Sequence, residues 1–193
     1  MPRHQPRSWP LSMLILTAVL TIQATEPPMA SASSPSVGQV APNFNLPISG
    51  EEGSVALGDV LADGPAVVVV LRGYPGYQCR LCSFQVSELV RSARALRAKV
   101  AKVILVYPGE PNLLEQHAVE FAPTKLPEPF VLVRDPGYTM VNAYGLRWNA
   151  PRETAYPSTF VIDSDGTIAW AKVSQGHGDR SDPAAILSAL KSL

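Results

Sequence analysis

The chain has 193 residues, 46% apolar and 17% charged, with Lys+Arg and Asp+Glu equal at 16 each. That length and apolar content suit one globular domain with a full core, and they exclude a compositionally disordered chain. Zero net charge and the lack of any basic block argue against nucleic acid as a partner.

Residues 1–32 read differently from the rest. Arg3 and Arg7 form a basic start, Leu11–Ile22 is an uncharged and mostly apolar run, and Ala30-Ser31-Ala32 is a small-residue site. Basic start, apolar middle and Ala-x-Ala predict a secretory signal peptide. Cleavage is expected after Ala32, with Ala24 as the alternative. The apolar run is short for a membrane span, which takes about 20 residues; a retained N-terminal anchor is the competing expectation. Residues 33–36 are a linker, and 37–193 form the expected domain, exported to the periplasm or beyond the cell.

Within that domain, Ala66–Leu71 (AVVVVL) is a continuous, mostly β-branched run, the pattern of a central strand buried on both faces. Pro75 and Gly76 break the chain. From Leu81 a helical stripe of Phe84, Leu89, Val90, Ala93, Leu96 and Val100 leaves Arg91, Arg94 and Arg97 outside. Val103–Tyr107 predicts a second buried strand, stopped at Pro108-Gly109. Pro111–Phe121 predicts a helix with Pro111 in its first turn. Phe130–Val133 predicts a short strand, and Pro136–Tyr144 a short helix closed by Gly145. Thr159–Ile162 and Thr167–Val173 flank Asp163-Ser164-Asp165-Gly166, a hairpin signature. Asp182 caps a last helix with Pro183 in first position and Ile186, Leu187 and Leu190 on one face. Alternating strands and helices followed by an antiparallel pair predict a mixed α/β sheet with helices on both faces.

The only two cysteines, Cys79 and Cys82, are spaced as Cys-x-x-Cys between the buried strand and the amphipathic helix. A cysteine at a helix N-terminus meets unpaired N–H groups and the positive end of the helix dipole, and both favour the reactive thiolate. Arg80 adds a nearby positive charge. A disulfide across so small a loop constrains the unfolded chain little, so the pair reads as a redox device rather than a staple. A zinc site needs four ligands, and beyond residue 32 only His117 and His177 are available besides the cysteines. No metal or organic cofactor is expected.

On three segments the chain resembles the thioredoxin superfamily, and within it the AhpC/TSA, or peroxiredoxin-like, family. These are Val37-Gly38-Gln39-Val40-Ala41-Pro42-Asn43-Phe44, Arg72 to Gln85, and Tyr156-Pro157-Ser158-Thr159-Phe160-Val161-Ile162-Asp163 with Asp165-Gly166. The resemblance covers residues 37–193 and implies a thioredoxin-like fold. The peroxiredoxin pattern, Pro-x-x-x-Thr-x-x-Cys, places Pro75 at its proline, Cys82 at the peroxidatic cysteine and Cys79 in place of the threonine. The resemblance then implies that Cys82 attacks a peroxide and Cys79 resolves it to a disulfide. Gln85 stands where many members carry an acidic residue, and Tyr156-Pro157 where an activating arginine is usual; Arg147 and Arg152 are nearby but out of register. The thioredoxin pattern implies instead that Cys79 attacks a protein disulfide and Cys82 resolves, with Pro157 as the cis-proline beside the pair. Arg72-Gly73 matches the family's Arg-Gly before the active-site loop, and Arg72 is expected either to hold the thiolate or to form a structural ion pair. The substrates implied are a peroxide or a disulfide, and the electron donor a thioredoxin-like or membrane-linked thiol reductase. A non-catalytic thioredoxin-like binding module is the third reading.

Overall fold

The computed structural model describes Met1 and residues 33–193. The expected signal peptide and its cleavage sites lie outside the described residues. The elements in chain order are β1 (Asn45–Pro47), β2 (Ser54–Ala56), α1 (Leu57–Ala62), β3 (Ala66–Val70), α2 (Arg80–Arg91), α3 (Ala93–Arg97), β4 (Lys102–Gly109), α4 (Leu114–Phe121), β5 (Phe130–Pro136), α5 (Thr139–Ala143), β6 (Ser158–Ile162), β7 (Ile168–Val173) and α6 (Pro183–Ala189).

β3 is the centre of a five-stranded sheet of order β5-β4-β3-β6-β7. It runs parallel to β4 and antiparallel to β6, with Val68 opposite both Ile104 and Phe160. Its β-branched run is buried along its whole length because helices cover both faces of the sheet. On one face Val68, Val70, Ile104 and Val106 pack with Leu57 and Leu61 of α1 and Met140 and Val141 of α5. On the other, Val67, Val69, Val103 and Leu105 pack with Leu89 of α2, Leu96 of α3, Ala118 of α4 and Ile186 of α6. The mixed sheet flanked on both faces agrees with the expectation. So does α6, where the Asp182 carboxylate accepts from Ala185 N at 2.8 Å.

Several local expectations differ. The predicted single helix after Leu81 breaks at Ser92 into α2 and α3. Phe84 is 66% exposed rather than part of the buried stripe. Cys82, Gln85, Val86 and Leu89 face inward, and Phe84 lies two residues past Cys82, about 200° around the helix. β4 continues through Pro108-Gly109 because these residues pair with Asp135 and Pro136 of β5. α4 starts at Leu114 rather than Pro111, behind Leu113 in the left-handed region (φ +60°). The β1–β2 hairpin and α1 carry too few residues to show a period. That hairpin covers the edge of β5, with Ile48 bridged to Val133 and Ser49 N donating to Leu132 O at 2.9 Å.

Candidate active site

The end of β3 delivers the chain to the cysteines through one close approach. Gly73 has φ +72°, and a Cβ there would sit 1.9 Å from the carbonyl oxygen of Pro108 in β4. Only glycine lets the chain turn so tightly over its neighbour. The loop that follows is fastened to β4 and α4. The Tyr107 hydroxyl donates to Gln78 Oε1 at 2.9 Å, Gln78 Nε2 donates to the His117 carbonyl at 2.9 Å, and Tyr74 stacks on the His117 ring at 3.5 Å. Pro75 is half-buried in the bend at residues 75–77.

Cys79 is the N-cap of α2, and its sulfur accepts from Cys82 N at 3.3 Å. Cys82 sits in the first turn, and its sulfur accepts from Arg72 N at 3.3 Å. That N–H lies just past Val70↔Ser158, the last register pair between β3 and β6, so the sheet leaves it free for the thiol. Both cysteines are free thiols and both are buried, Cys79 at 5% and Cys82 at 1% exposure.

The guanidinium of Arg180 reaches both sulfurs, with Nη2 at 3.5 Å from Cys82 Sγ and 3.7 Å from Cys79 Sγ. Arg180 belongs to the segment joining β7 to α6. Its Nη1 donates to Gln85 Oε1 at 2.9 Å and its Nε to the His177 carbonyl at 2.8 Å. Gln85 is fixed in turn, its amide donating to the carbonyl and hydroxyl oxygens of Ser181, both at 3.3 Å. The Ser181 hydroxyl is 2.7 Å from Thr159 Oγ1 in β6. A buried polar chain thus runs from the sheet to the sulfurs and sets the position of the cation.

These contacts separate the two thiols. The Cys79 thiol is pushed down to about 5, first by the hydrogen bond from the Cys82 side chain; burial opposes this, and the Cys82 N–H, Arg180 and Arg72 reinforce it. Cys82 is raised, because its hydrogen bond to Cys79 and its deeper burial both favour the protonated form. The pair holds one thiolate, at the N-cap sulfur, and one proton, at Cys82. This acidity order is the reverse of the roles implied by the peroxiredoxin spacing.

Arg72 acts on the pair mainly through its main chain. Its side chain pairs with Glu153 (Nε–Oε2 2.8 Å, Nη2–Oε1 3.0 Å) and also reaches Tyr77 Oη and the Arg152 carbonyl. Of the two expectations for this residue, the ion pair describes the side chain. Burial opposes ionisation of Glu153, but Arg72 and His177 hold its carboxyl below the usual carboxylate range. His177 Nε2 lies 3.0 Å from Glu153 Oε1, with Trp148 edge-on to its ring.

Pro157 requires a correction. The peptide bond before it is not cis; among the described residues the cis bond is Glu128–Pro129. Pro157 is buried at the start of β6, and its carbonyl accepts from Ser174 N at 3.0 Å beyond the β6–β7 pairing. It extends the sheet there, and trans is the ordinary state of such a bond. The out-of-register arginines are engaged elsewhere. Arg147 donates to main-chain carbonyls and lies over Tyr138, and Arg152 occupies an exposed left-handed turn.

Arg180 and Glu153 are the functional residues that sequence reasoning missed. Arg180 stands alone after Gly176-His177-Gly178, with no periodicity to announce it. Its one local signal is the position just ahead of the Ser181-Asp182-Pro183 helix start. A depression of about 400 Å³ elsewhere is lined by Ile48, Lys102, Val119, Lys125 and Phe130 among others, and by neither cysteine.

The fold recurs in solved structures. The peroxidoxin BcpB of Mycobacterium tuberculosis superposes with a TM-score of 0.65 at 18% identity, covering 82% of this chain and 97% of that one. Reduced Prx3 from Vibrio vulnificus, solved with hydrogen peroxide, gives 0.65 at 18% identity, covering 81% and 96%. A putative thioredoxin reductase from Burkholderia cenocepacia gives 0.64 at 19% identity, covering 80% and 97%. Identities this low establish the common fold alone. No curated protein matches the chain. Residues 37–171 match the AhpC/TSA family, a span that carries the whole central sheet except the last two residues of β7 and contains both cysteines. The chain belongs to the AhpC/TSA family.

Proposed function

We propose that the chain is an exported thiol peroxidase in which Cys79 attacks and Cys82 resolves. The observation that carries this reading is the Arg180 guanidinium, within 3.7 Å of both sulfurs of an N-capped Cys-x-x-Cys pair. The Cys79 thiolate attacks one peroxide oxygen; the O–O bond breaks and the leaving alkoxide or hydroxide takes up a proton. Cys79 becomes a sulfenic acid. Cys82 then gives its sulfur to Cys79, forming the disulfide and releasing water. A dithiol donor returns two electrons and two protons. Arg180 favours the thiolate beforehand and is placed to donate to the oxygens during the step. Membership of the AhpC/TSA family supports peroxide as the oxidant, and the character of residues 1–32 supports export.

The same acidity order supports a second reading, disulfide exchange led by Cys79, because an N-cap thiolate with a buried resolving partner suits that chemistry equally. Single turnover separates the two. The peroxidase reading predicts that reduced protein consumes one peroxide for two thiols lost, within seconds at micromolar concentration. Negligible peroxide consumption, with a protein disulfide instead trapped on Cys79 in Cys82→Ser, would give the second reading precedence. Inertness in both assays leaves the non-catalytic binding module.

A further inference from the structure

As N-cap, Cys79 keeps an extended conformation (φ −78°, ψ 105°) while Arg80 begins the helix, and that conformation turns its sulfur toward Cys82 N. The approach to it is loosely packed. Gly76 has φ +113° with open space around it, and both Gly76 and Tyr77 are exposed. Tyr74 on His117 and Tyr77 on Arg72 anchor the earlier part of the loop. The residue directly before Cys79 is held far more closely. Gln78 uses both ends of its amide, the oxygen for the Tyr107 hydroxyl of β4 and the nitrogen for the His117 carbonyl of α4, each at 2.9 Å. Tyr107 is fully buried, with its ring 5.3 Å from that of Phe121. Among the described residues its hydroxyl has no other hydrogen bond, and a buried hydroxyl left without one is costly. Sheet and helix therefore both claim the Gln78 side chain, and with it the backbone that enters the N-cap.

We propose that Gln78 and Tyr107 are positioning residues that hold Cys79 at the N-cap and so make its sulfur, rather than that of Cys82, the one that reacts. The inference rests on the reading that Cys79 attacks. Neither side chain hydrogen-bonds a sulfur; the pair acts through the backbone at residues 78–79. The two sulfurs depend on that backbone unequally. Cys79 Sγ takes the Cys82 N–H only from the N-cap position. Cys82 Sγ takes the N–H of Arg72, at the end of β3, where the preceding Leu71 N is fixed to Val106 O at 2.9 Å. Release of residue 78 therefore weakens the first bond and spares the second. The preference between the thiols then moves toward Cys82.

Competition labelling of the reduced full chain tests this. A limiting pulse of iodoacetamide at pH 7 is followed by unfolding, capping of the remaining thiols with isotope-labelled reagent, and peptide mass analysis. The readout is the ratio of pulse label at Cys79 to pulse label at Cys82. Tyr107→Phe lowers that ratio about two- to twelvefold, the range spanned by one neutral hydrogen bond. Gln78→Leu, which breaks both bonds, lowers it further. Gln78→Leu also strands the Tyr107 hydroxyl, and the double variant Gln78→Leu/Tyr107→Phe removes it. The double variant is therefore more stable to urea than Gln78→Leu, while its labelling ratio stays as low. A merely structural role would restore the ratio together with the stability, and that result overturns the proposal. So does a wild-type ratio in Tyr107→Phe, the milder change, which decides the matter alone if Gln78→Leu does not fold. A wild type labelled first at Cys82 overturns the Cys79 assignment itself, whereas the positioning role fails on the variants while Cys79 still leads in the wild type.

Discussion

Replacing Cys82 by alanine removes the largest cause of the Cys79 acidity while leaving the N-cap, Arg180 and the helix in place. In the wild type that thiol is pushed down to about 5. A hydrogen bond to a charged group contributes about 1.5–3 kcal/mol, and one pKa unit corresponds to about 1.4 kcal/mol. Cys82→Ala is therefore expected to move the Cys79 inflection up by about one to two units, to about 6–7. The assay is the rate of alkylation by iodoacetamide from pH 4 to pH 10, read at its inflection, because the plateau rate itself changes with basicity. At pH 5.5 the thiolate fraction falls roughly threefold to twenty-five-fold. Cys82→Ser keeps a hydroxyl donor and stays closer to the wild type. Cys79→Ala supplies the reverse case. Cys82 is the more deeply buried sulfur, at 1% exposure against 5%, so alone it titrates higher than Cys79 alone. A lower inflection for Cys82 alone would refute the acidity order and return the attacking role to Cys82.

Other perturbations test the surroundings of the pair. Arg180→Met removes a cation shared between two sulfurs and raises the Cys79 inflection by about one unit, at the low end for a charge at this range; an unchanged pH profile would show that the guanidinium does not act on the thiolate. Glu153→Gln leaves the Arg72 side chain, only 3% exposed, without its carboxylate. The expected loss is about 2–3 kcal/mol in urea unfolding, tempered by the contacts to Tyr77 and the Arg152 carbonyl; a midpoint matching the wild type would make that pair energetically idle. Gly73→Ala drives a Cβ against the Pro108 carbonyl at a position with φ +72°. It is expected to cost about 3 kcal/mol or more, and ordinary stability would disprove the close approach of loop and β4.

The sheet was legible because its strands are long and β-branched. Val67–Val70 can be buried on both sides only at the centre of a covered sheet, and Asp163 to Gly166 announce the turn between β6 and β7. The cysteine pair was legible as a site because its spacing is local. Phe84 misled because a stripe counted from apolar residues alone ignores which side the first turn must face, and Cys82 sets that side through Arg72 N. Pro157 misled because a proline before a strand is compatible with either peptide isomer. Arg180 and Glu153 were illegible for a different reason. Glu153 lies 81 residues from Arg72 and Arg180 lies 98 from Cys82, joined by tertiary contacts that leave no period in the chain. The acidity order belongs to the same class, because it depends on which sulfur receives which N–H and how deeply each is buried.

The central claim is that one thiolate, at Cys79, meets peroxide and that Cys82 closes the disulfide. Its most direct test is intact-mass analysis of reduced Cys82→Ser and Cys79→Ser after a short pulse of stoichiometric peroxide with a sulfenic-acid trap present. The account predicts rapid, near-stoichiometric trapping at Cys79 in Cys82→Ser and little in Cys79→Ser. Trapping confined to Cys82, or to neither residue, would contradict it.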